Sequence, residues 1–311
     1  MINDLEIAVL IPCFNEEVTV QDVVAKFKNA LPNAEIYVYD NNSSDQTAEK
    51  AKEAGAIIRN EPLQGKGNVV RRMFSDVEAD IYVLVDGDGT YDASAAPVLV
   101  NKLVNQSLDV VNGKRIHKSS EAYRAGHQFG NALLTSMVAK IFGKRFEDML
   151  SGYKIFSRRF VKSFPSLSSG FEIETELTVH ALELSMPVAE VETEYGARAE
   201  GSSSKLSTFR DGFRILKMIG VLIKEERPLQ FFSVLFFLFL FTGLGLSVPL
   251  IITYLEIGLV PRLPTAILVT GLILLAFLCI ACGLILDTVT RGRKELKRMQ
   301  YLSVPLNHQR K

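Results

Sequence analysis

Over the first half of the chain, short apolar runs alternate with stretches of helical period. "IAVLIP", ending at Pro12, "EIYVYD", ending at Asp40, "AIIRN", "DIYVLV" and "LDVVNG" each read as strands. Between them "TAEKAKEAG" reads as a helix, with N-cap candidates in Ser43, Ser44 and Asp45 and a stop at Gly55. "GNVVRRMFSDV" reads as a second helix, opened by Gly65 and Gly67. Strands of this length alternating with helices predict an α/β fold, a mostly parallel sheet covered on both faces. Ligands of such sheets bind beyond the carboxyl ends of the strands. The polar residues that follow three of the strands are Pro12 to Glu17, Asp40 to Asp45 and Asp86 to Asp92, so the pattern predicts that all three meet at one edge.

The second half carries a different pattern. No charged residue occurs from Pro228 to Leu255 or from Leu263 to Leu286, and each run exceeds the roughly 20 residues that cross a bilayer core. The short "EIGLVPR" between them predicts an antiparallel transmembrane hairpin. Lys224 and Arg227 precede the first run; Arg291, Arg293, Lys294, Lys297 and Arg298 follow the second, and only Arg262 lies in the loop. By the positive-inside rule both long ends face the cytoplasm, which predicts a multi-pass cytoplasmic-membrane protein. "MINDLEIAVLIPCFNEE" lacks the basic start of a cleavable signal. "TFRDGFRILKMIGVLI" and "GNALLTSMVAKIFGKR" are amphipathic, and the first, next to the hairpin, suits the headgroup layer. The expected organisation is a catalytic domain at 1–207, an interfacial helix at 208–227, the hairpin at 228–290 and a basic tail at 291–311.

Composition removes several classes of function. Lys plus Arg and Asp plus Glu balance at 35 each, so no global basic charge points to nucleic acid. Three cysteines are too few for a disulfide framework, and Cys279 and Cys282 fall inside the second apolar run, where packing is the expected role. His117, His127, His180 and His308 are scattered and form no ligand set.

The candidate chemistry concentrates in "VLVDGDGTYD", Val83 to Asp92. Unpaired carboxylates are costly to bury, so acids at the mouth of an apolar strand must be solvated, paired or bound to a cation. Asp86 and Asp88, at D-x-D spacing on a glycine-rich turn, can hold one divalent cation and leave positions open for phosphate oxygens. Neither a G-x-G-x-x-G loop nor a Walker G-x-x-x-x-G-K-[ST] is present, which argues against a dehydrogenase, a kinase or a P-loop ATPase. "GKG", Gly65 to Gly67 around Lys66, either supports phosphates or only starts a helix.

The order "IPCFNEE", "VYDNNSSDQT", "GKGNVVRR", "LVDGDGTYD", "EDMLSGYKIFSR", "GFEIETEL", "RAEGSSSKL" resembles the family 2 GT-A glycosyltransferases over about Ile7 to Lys205. Within them it is most similar to the polyprenyl-phosphate glycosyltransferases, the dolichol-phosphate mannose synthase and GtrB-like group. The resemblance implies a Rossmann-like GT-A domain followed by the hairpin. It implies that Pro12, Phe14 and Glu16 line the nucleoside site and that Asp40 bonds the base. Asp86 and Asp88 would bind Mg²⁺ or Mn²⁺, with Asp88 the principal ligand, and Lys66 would join the donor-binding residues. Arg115 would face the phosphates, Asp148 would be the catalytic or acceptor-side acid, and Arg198 and Lys205 would form an arm that closes over the diphosphate. Where many relatives read D-A-D-L-Q, Thr90 replaces the Gln, which leaves Asp92 or water to complete a metal shell.

The expected activity is inverting transfer of a hexose from a nucleotide sugar, UDP-linked by preference, to a polyprenyl (undecaprenyl or dolichyl) phosphate at the membrane. Expected partners are the donor, the lipid acceptor and membrane lipids, with no nucleic acid; a homo-oligomer is left open. Two other readings stay open: transfer to a non-lipid saccharide acceptor, and a non-catalytic subunit that only binds nucleotide sugar.

Overall fold

A computed structural model describes residues 5–117, 135–136, 138–139, 146–166, 170, 172–198, 220–221 and 223–305. The chain divides into two compact units, Met1–Ile215 with Lys297–Lys311, and Leu216–Leu296.

The first unit is built on a seven-stranded sheet. Its strands are β1 (Ile7–Cys13), β2 (Glu35–Asp40), β3 (Ile57–Asn60), β4 (Ile81–Leu84), β5 (Val110–His117), β6 (Lys154–Ser157) and β7 (Val188–Tyr195). They lie in the order β3-β2-β1-β4-β6-β5-β7. β1 runs parallel to β2 and β4, β2 to β3, and β5 to β7, while β6 runs antiparallel to both β4 and β5. This is the mostly parallel sheet that the alternating pattern predicts, and it agrees with the GT-A domain that the resemblance implies.

Continuous apolar strands need cover on both faces. On one face α1 (Val20–Ala30) and α4 (Ala96–Asn105) pack Val20, Val23, Val24, Phe27, Leu99 and Leu103 over Ile7, Val9, Ile11 and Val83. On the other, Phe74 of α3 (Lys66–Asp76) sits edge-on to Tyr82 and Phe156. The Val20, Val23, Val24, Phe27 spacing places four apolar side chains on one helical stripe, and burial of such side chains is worth about 1.5–3 kcal/mol each. α2 (Thr47–Glu53) has Gln46, not Ser43, Ser44 or Asp45, at its N-cap, and Gln46 makes no side-chain cap bond; Asp45 sits one residue before it, its Oδ1 accepting from the Thr47 N–H at 3.1 Å. Two further helices complete the unit's described elements, α5 (Arg158–Ser163) and α6 (Ile173–Glu183).

β6 is the strand that periodicity does not show. Four residues are too few to display a period, and the first is a lysine. Lys154 is nevertheless only 1% exposed, its ammonium donating to Asn112 Oδ1 at 2.7 Å and to the Met149 carbonyl at 3.1 Å. Burial pulls its pKa down to about 8, against the opposing pull of nearby carboxylates.

The second unit holds α7 (Pro228–Ile257) and most of α8 (Leu263–Ser303), both long and apolar enough to cross a membrane. They pack as an antiparallel pair. Gly243 faces Leu272 and Ile273, Gly283 faces Leu229 and Phe232, and Phe236 meets Phe277 at 6.0 Å. Small residues at these crossings let the backbones approach. α8 continues through the basic stretch to Ser303, so the segment expected as a tail from 291 is helical over most of its length. Its last residues belong to the first unit: Lys297 pairs with Glu183 at 2.7 Å, and the Tyr301 hydroxyl donates to Asp109 at 2.8 Å. Of the expected interfacial helix, residues 220–221 and 223–226 are helical and the rest lies outside the described residues, as does most of "GNALLTSMVAKIFGKR".

Candidate active site

The acids of the β4 mouth are built into a fixed turn. Gly89 has φ +73°, a conformation side chains rarely adopt, and it folds the loop back after Asp88. Asp88 is 5% exposed; its Oδ1 accepts from the Thr90 N–H at 3.2 Å and from the Thr90 hydroxyl at 2.6 Å. Thr90 therefore orients the acid. Asp92 is committed elsewhere, since its carboxylate accepts from the Ser94 N–H at 2.9 Å and hydroxyl at 2.6 Å and caps a short 3₁₀ turn. Thr19 anchors the same loop to α1, donating to the Gly87 carbonyl at 2.7 Å.

Each acid of the pair faces a cation of the chain itself. The Lys66 ammonium is held by Asp86 Oδ1 and by Glu174 Oε1. Although burial alone would lower its pKa, these two carboxylates raise it, so the lysine is charged. Asp88 Oδ2 lies 2.8 Å from an Arg198 guanidinium nitrogen. Arg198 reaches this point because the loop and the end of β7 are joined: Tyr91 bridges Tyr195, and the Gly196 N–H donates to the Thr90 carbonyl at 2.8 Å.

Asp86, Asp88, Lys66 and Arg198 line one cavity of about 440 Å³ with Pro12, Phe14, Glu16, Asn41, Gln64, Gly65 and Val69. Its walls are made rigid by side-chain bonds between loops. Asn41 Nδ2 donates to the Glu61 and Leu63 carbonyls, both at 2.8 Å, while its Oδ1 accepts from the Gly65 N–H at 2.7 Å. Asn15 Oδ1 accepts from the Ser44 N–H at 2.8 Å, and the Glu16 N–H donates to the Thr47 hydroxyl at 2.8 Å. Asp40, at the end of β2, is not part of the lining. Its Oδ2 accepts from the Ser43 N–H at 3.2 Å and its Oδ1 is buried without a partner among the described residues, a spare acceptor beside Asn41.

Arg115 and Asp148 form a separate pair that also lies outside the cavity lining. Arg115 Nε and Nη2 each donate to the carboxylate at 2.7 Å, and the Arg115 N–H adds a bond at 3.2 Å. Burial alone would raise the Asp148 pKa, but the bonds and charge of Arg115 hold it below the usual carboxylate range. The pair adjoins the turn through aromatic rings: Arg115 lies 5.5 Å over Tyr195, and Tyr195 meets Tyr91 at 5.1 Å. The Gly152 N–H then donates to the Tyr91 hydroxyl at 2.7 Å. Lys205 lies outside the described residues.

Of the residues singled out in the sequence, Pro12, Phe14, Glu16, Lys66, Asp86, Asp88 and Arg198 thus meet at one cavity. Asn41, Tyr91, Glu174 and Tyr195 were not singled out. Asn41 was legible as the residue after a strand-ending acid. Glu174 was hidden because it is one of three acids in "FEIETEL", and only the fold distinguishes the one that turns inward. The donor set suits Mg²⁺ or Mn²⁺: two carboxylates supply hard oxygens, and among the described residues no group of three or more His, Cys, Asp or Glu side chains is placed to hold a metal, so a cation held by this pair would keep positions open.

The model of the family described as "Glycosyl transferase family 2" matches residues 8–164, which include both strand mouths and the D-x-D turn. The chain belongs to that family. It is 54% identical over 129 residues to Protein RfbJ of Shigella flexneri, covering 41% of this chain and all of that one. It is 27% identical over 289 residues to the dolichol-phosphate mannosyltransferase of Pyrococcus furiosus, covering 85% and 78% of the two chains. Among solved structures it resembles glucosyl-3-phosphoglycerate synthase from Mycobacterium tuberculosis in complex with Mn²⁺, UDP and glucosyl-3-phosphoglycerate. That match has a TM-score of 0.57 and 24% identity, covering 71% of this chain and 79% of the other, and it bears on the fold alone.

Proposed function

We propose that this family 2 glycosyltransferase moves one hexose from a nucleoside-diphosphate sugar to the phosphate of a polyprenol, at the cytoplasmic face of a membrane. The observation that carries the reading is the meeting of Asp86, Asp88, Lys66 and Arg198 on one wall of a cavity whose other walls hold Phe14 and Asn41. A flat ring and amide acceptors suit a nucleoside base; acids beside basic side chains suit a cation-bound diphosphate. The names of relatives that act on dolichol phosphate support the acceptor, and α7 and α8 support the membrane anchor.

In this reading Phe14 and Pro12 hold the nucleoside, Asp40 supports that wall from outside the lining through Ser43, and Asp88, oriented by Thr90, is the principal ligand of Mg²⁺ or Mn²⁺, with Asp86 beside it. When bound, the cation supplies Lewis-acid stabilisation of the departing nucleoside diphosphate. Arg198 turns from Asp88 to the diphosphate oxygens, and Lys205 would add a second positive charge there. A phosphate oxygen of the acceptor forms the new bond to the anomeric carbon as the bond to the donor's diphosphate breaks, the electron pair leaving with the diphosphate and the configuration inverting. That nucleophile is already ionised near neutral pH and needs no strong base. Asp148, with its depressed pKa, is a poor base in any case, and its work is to present Arg115 to the acceptor phosphate.

Purified full-length protein incubated with a panel of nucleotide sugars, Mn²⁺ and undecaprenyl phosphate should yield one glycosylated lipid by mass spectrometry. Asp88→Asn should lose at least about a hundredfold in turnover with the melting temperature retained, because a neutral amide binds a divalent cation poorly. A product made only on a soluble saccharide, or full activity in Asp88→Asn, would sink the reading.

A further inference from the structure

One ammonium at the D-x-D turn serves two acids. Asp88 pairs with Arg198, whereas Asp86 and Glu174 of α6 share Lys66, and Glu174 also feels the buried ammonium of Lys154. Glu174 is 5% exposed and does not line the cavity, and its second oxygen is buried with no partner among the described residues. Burying a carboxylate is costly, and a glutamine of the same shape would avoid that cost and still bond Lys66. A group whose only office was to support α6 would therefore be better served by the amide.

We propose that Glu174 is a positioning residue that keeps Asp86 open to the divalent cation. It acts through Lys66. With Glu174 ionised, the ammonium is divided between two carboxylates and the group of Asp86, Lys66 and Glu174 carries one net negative charge. Without that charge the ammonium belongs to Asp86 alone, the group is neutral, and an incoming cation must displace a buried ion pair. Glu174 thereby supplies the attraction that Lys66 would otherwise cancel, from behind the wall and without touching the cation. The inference rests on the metal-assisted reading of the site given above.

The test is Mn²⁺ affinity of the full chain in detergent, from the free-ion electron paramagnetic resonance signal, with and without saturating UDP. Calorimetric UDP affinity without metal serves as the check on the fold. Glu174→Gln should bind Mn²⁺ about ten- to a hundredfold more weakly, the scale of one unit charge acting at short range in a protein interior, with metal-free UDP affinity changed less than about threefold. The double variant Lys66→Met with Glu174→Gln restores one net negative charge, that of Asp86, and should bind Mn²⁺ within a few-fold of the wild type. Unchanged Mn²⁺ affinity in Glu174→Gln overturns the inference. So does a double variant as weak as the single one, because the effect would then not pass through Lys66. Wild-type protein that binds no Mn²⁺ even with UDP present overturns instead the metal-assisted reading on which the inference rests.

Discussion

Gly152 shows how tightly single positions are set in this site. A Cβ there would collide with the Asp86 carboxylate, while the Gly152 N–H is bonded to the Tyr91 hydroxyl, so neither the residue nor the acid can step aside freely. Gly152→Ala should push Asp86 off Lys66 and lower kcat/KM by roughly ten- to a hundredfold, with less than about 2 kcal/mol lost from folding. Steady-state kinetics beside chemical denaturation separate the two, and a variant with wild-type kinetics would show that the acid has room to move. At this scale the sequence is informative about residue type and poor about direction. Asp86 and Asp88 declare themselves because acids at an apolar strand's end require an explanation. Asp92 looks equivalent in the string, yet both its oxygens are spent on Ser94. Thr90, which stands where many relatives carry Gln, is the group that aims Asp88.

Among the elements, those with a clear period were legible and those held by side-chain chemistry were not. β1, β2 and α1 follow from apolar spacing alone; β6 exists because Lys154 finds Asn112 and a carbonyl inside the protein, which no periodicity reports. α6 contains a second hidden device. His180 is 2% exposed, lies between Phe160 and Phe164 at 5.4 and 5.3 Å, and has one ring nitrogen 3.1 Å from the Ser163 hydroxyl. Burial, reinforced by the charge of Lys297, lowers its pKa from 6.5 to about 3. Between those values the unfolded chain binds the proton that the folded chain refuses, so folding stability must fall as pH drops from 6.5 towards 3. The slope approaches about 1.4 kcal/mol per pH unit for this one group. His180→Phe should remove that portion of the acid sensitivity, measured as the pH dependence of the unfolding free energy between 6.5 and 4. An unaltered slope would mean that His180 is charged in the folded protein.

At the scale of the molecule, two units were expected to meet the sequence's change of composition, and the hairpin is legible from its uncharged runs. The return of the last residues to the catalytic unit was not legible, because "RMQYLS" reads as any basic helix end. There Tyr301 bonds Asp109, an acid buried completely and also gripped by Arg159 and Ser157. Lys297 answers Glu183, which is equally enclosed. A chain ending before Pro228 keeps every described cavity residue but leaves both acids short of a partner. It should still bind UDP, melt roughly 5–10 °C below the full chain, and fail to glycosylate long-chain lipid in bilayers. Calorimetric melting and a vesicle assay check this, and equal melting temperatures would remove the tail from the account of stability. Arg198 has a consequence of the same breadth. It holds Oδ2 of Asp88; in the proposed reaction that oxygen would go to the cation and Arg198 would grip the diphosphate instead. Cation and nucleotide then relieve one another of the same obstacle. Binding of either must tighten binding of the other by an equal factor, since a coupling free energy has no direction. On the proposed reading, an enzyme so arranged would bind little metal while idle and fill both positions together, which would make the metal–nucleotide complex, rather than the separate ion and sugar donor, the species it recognises.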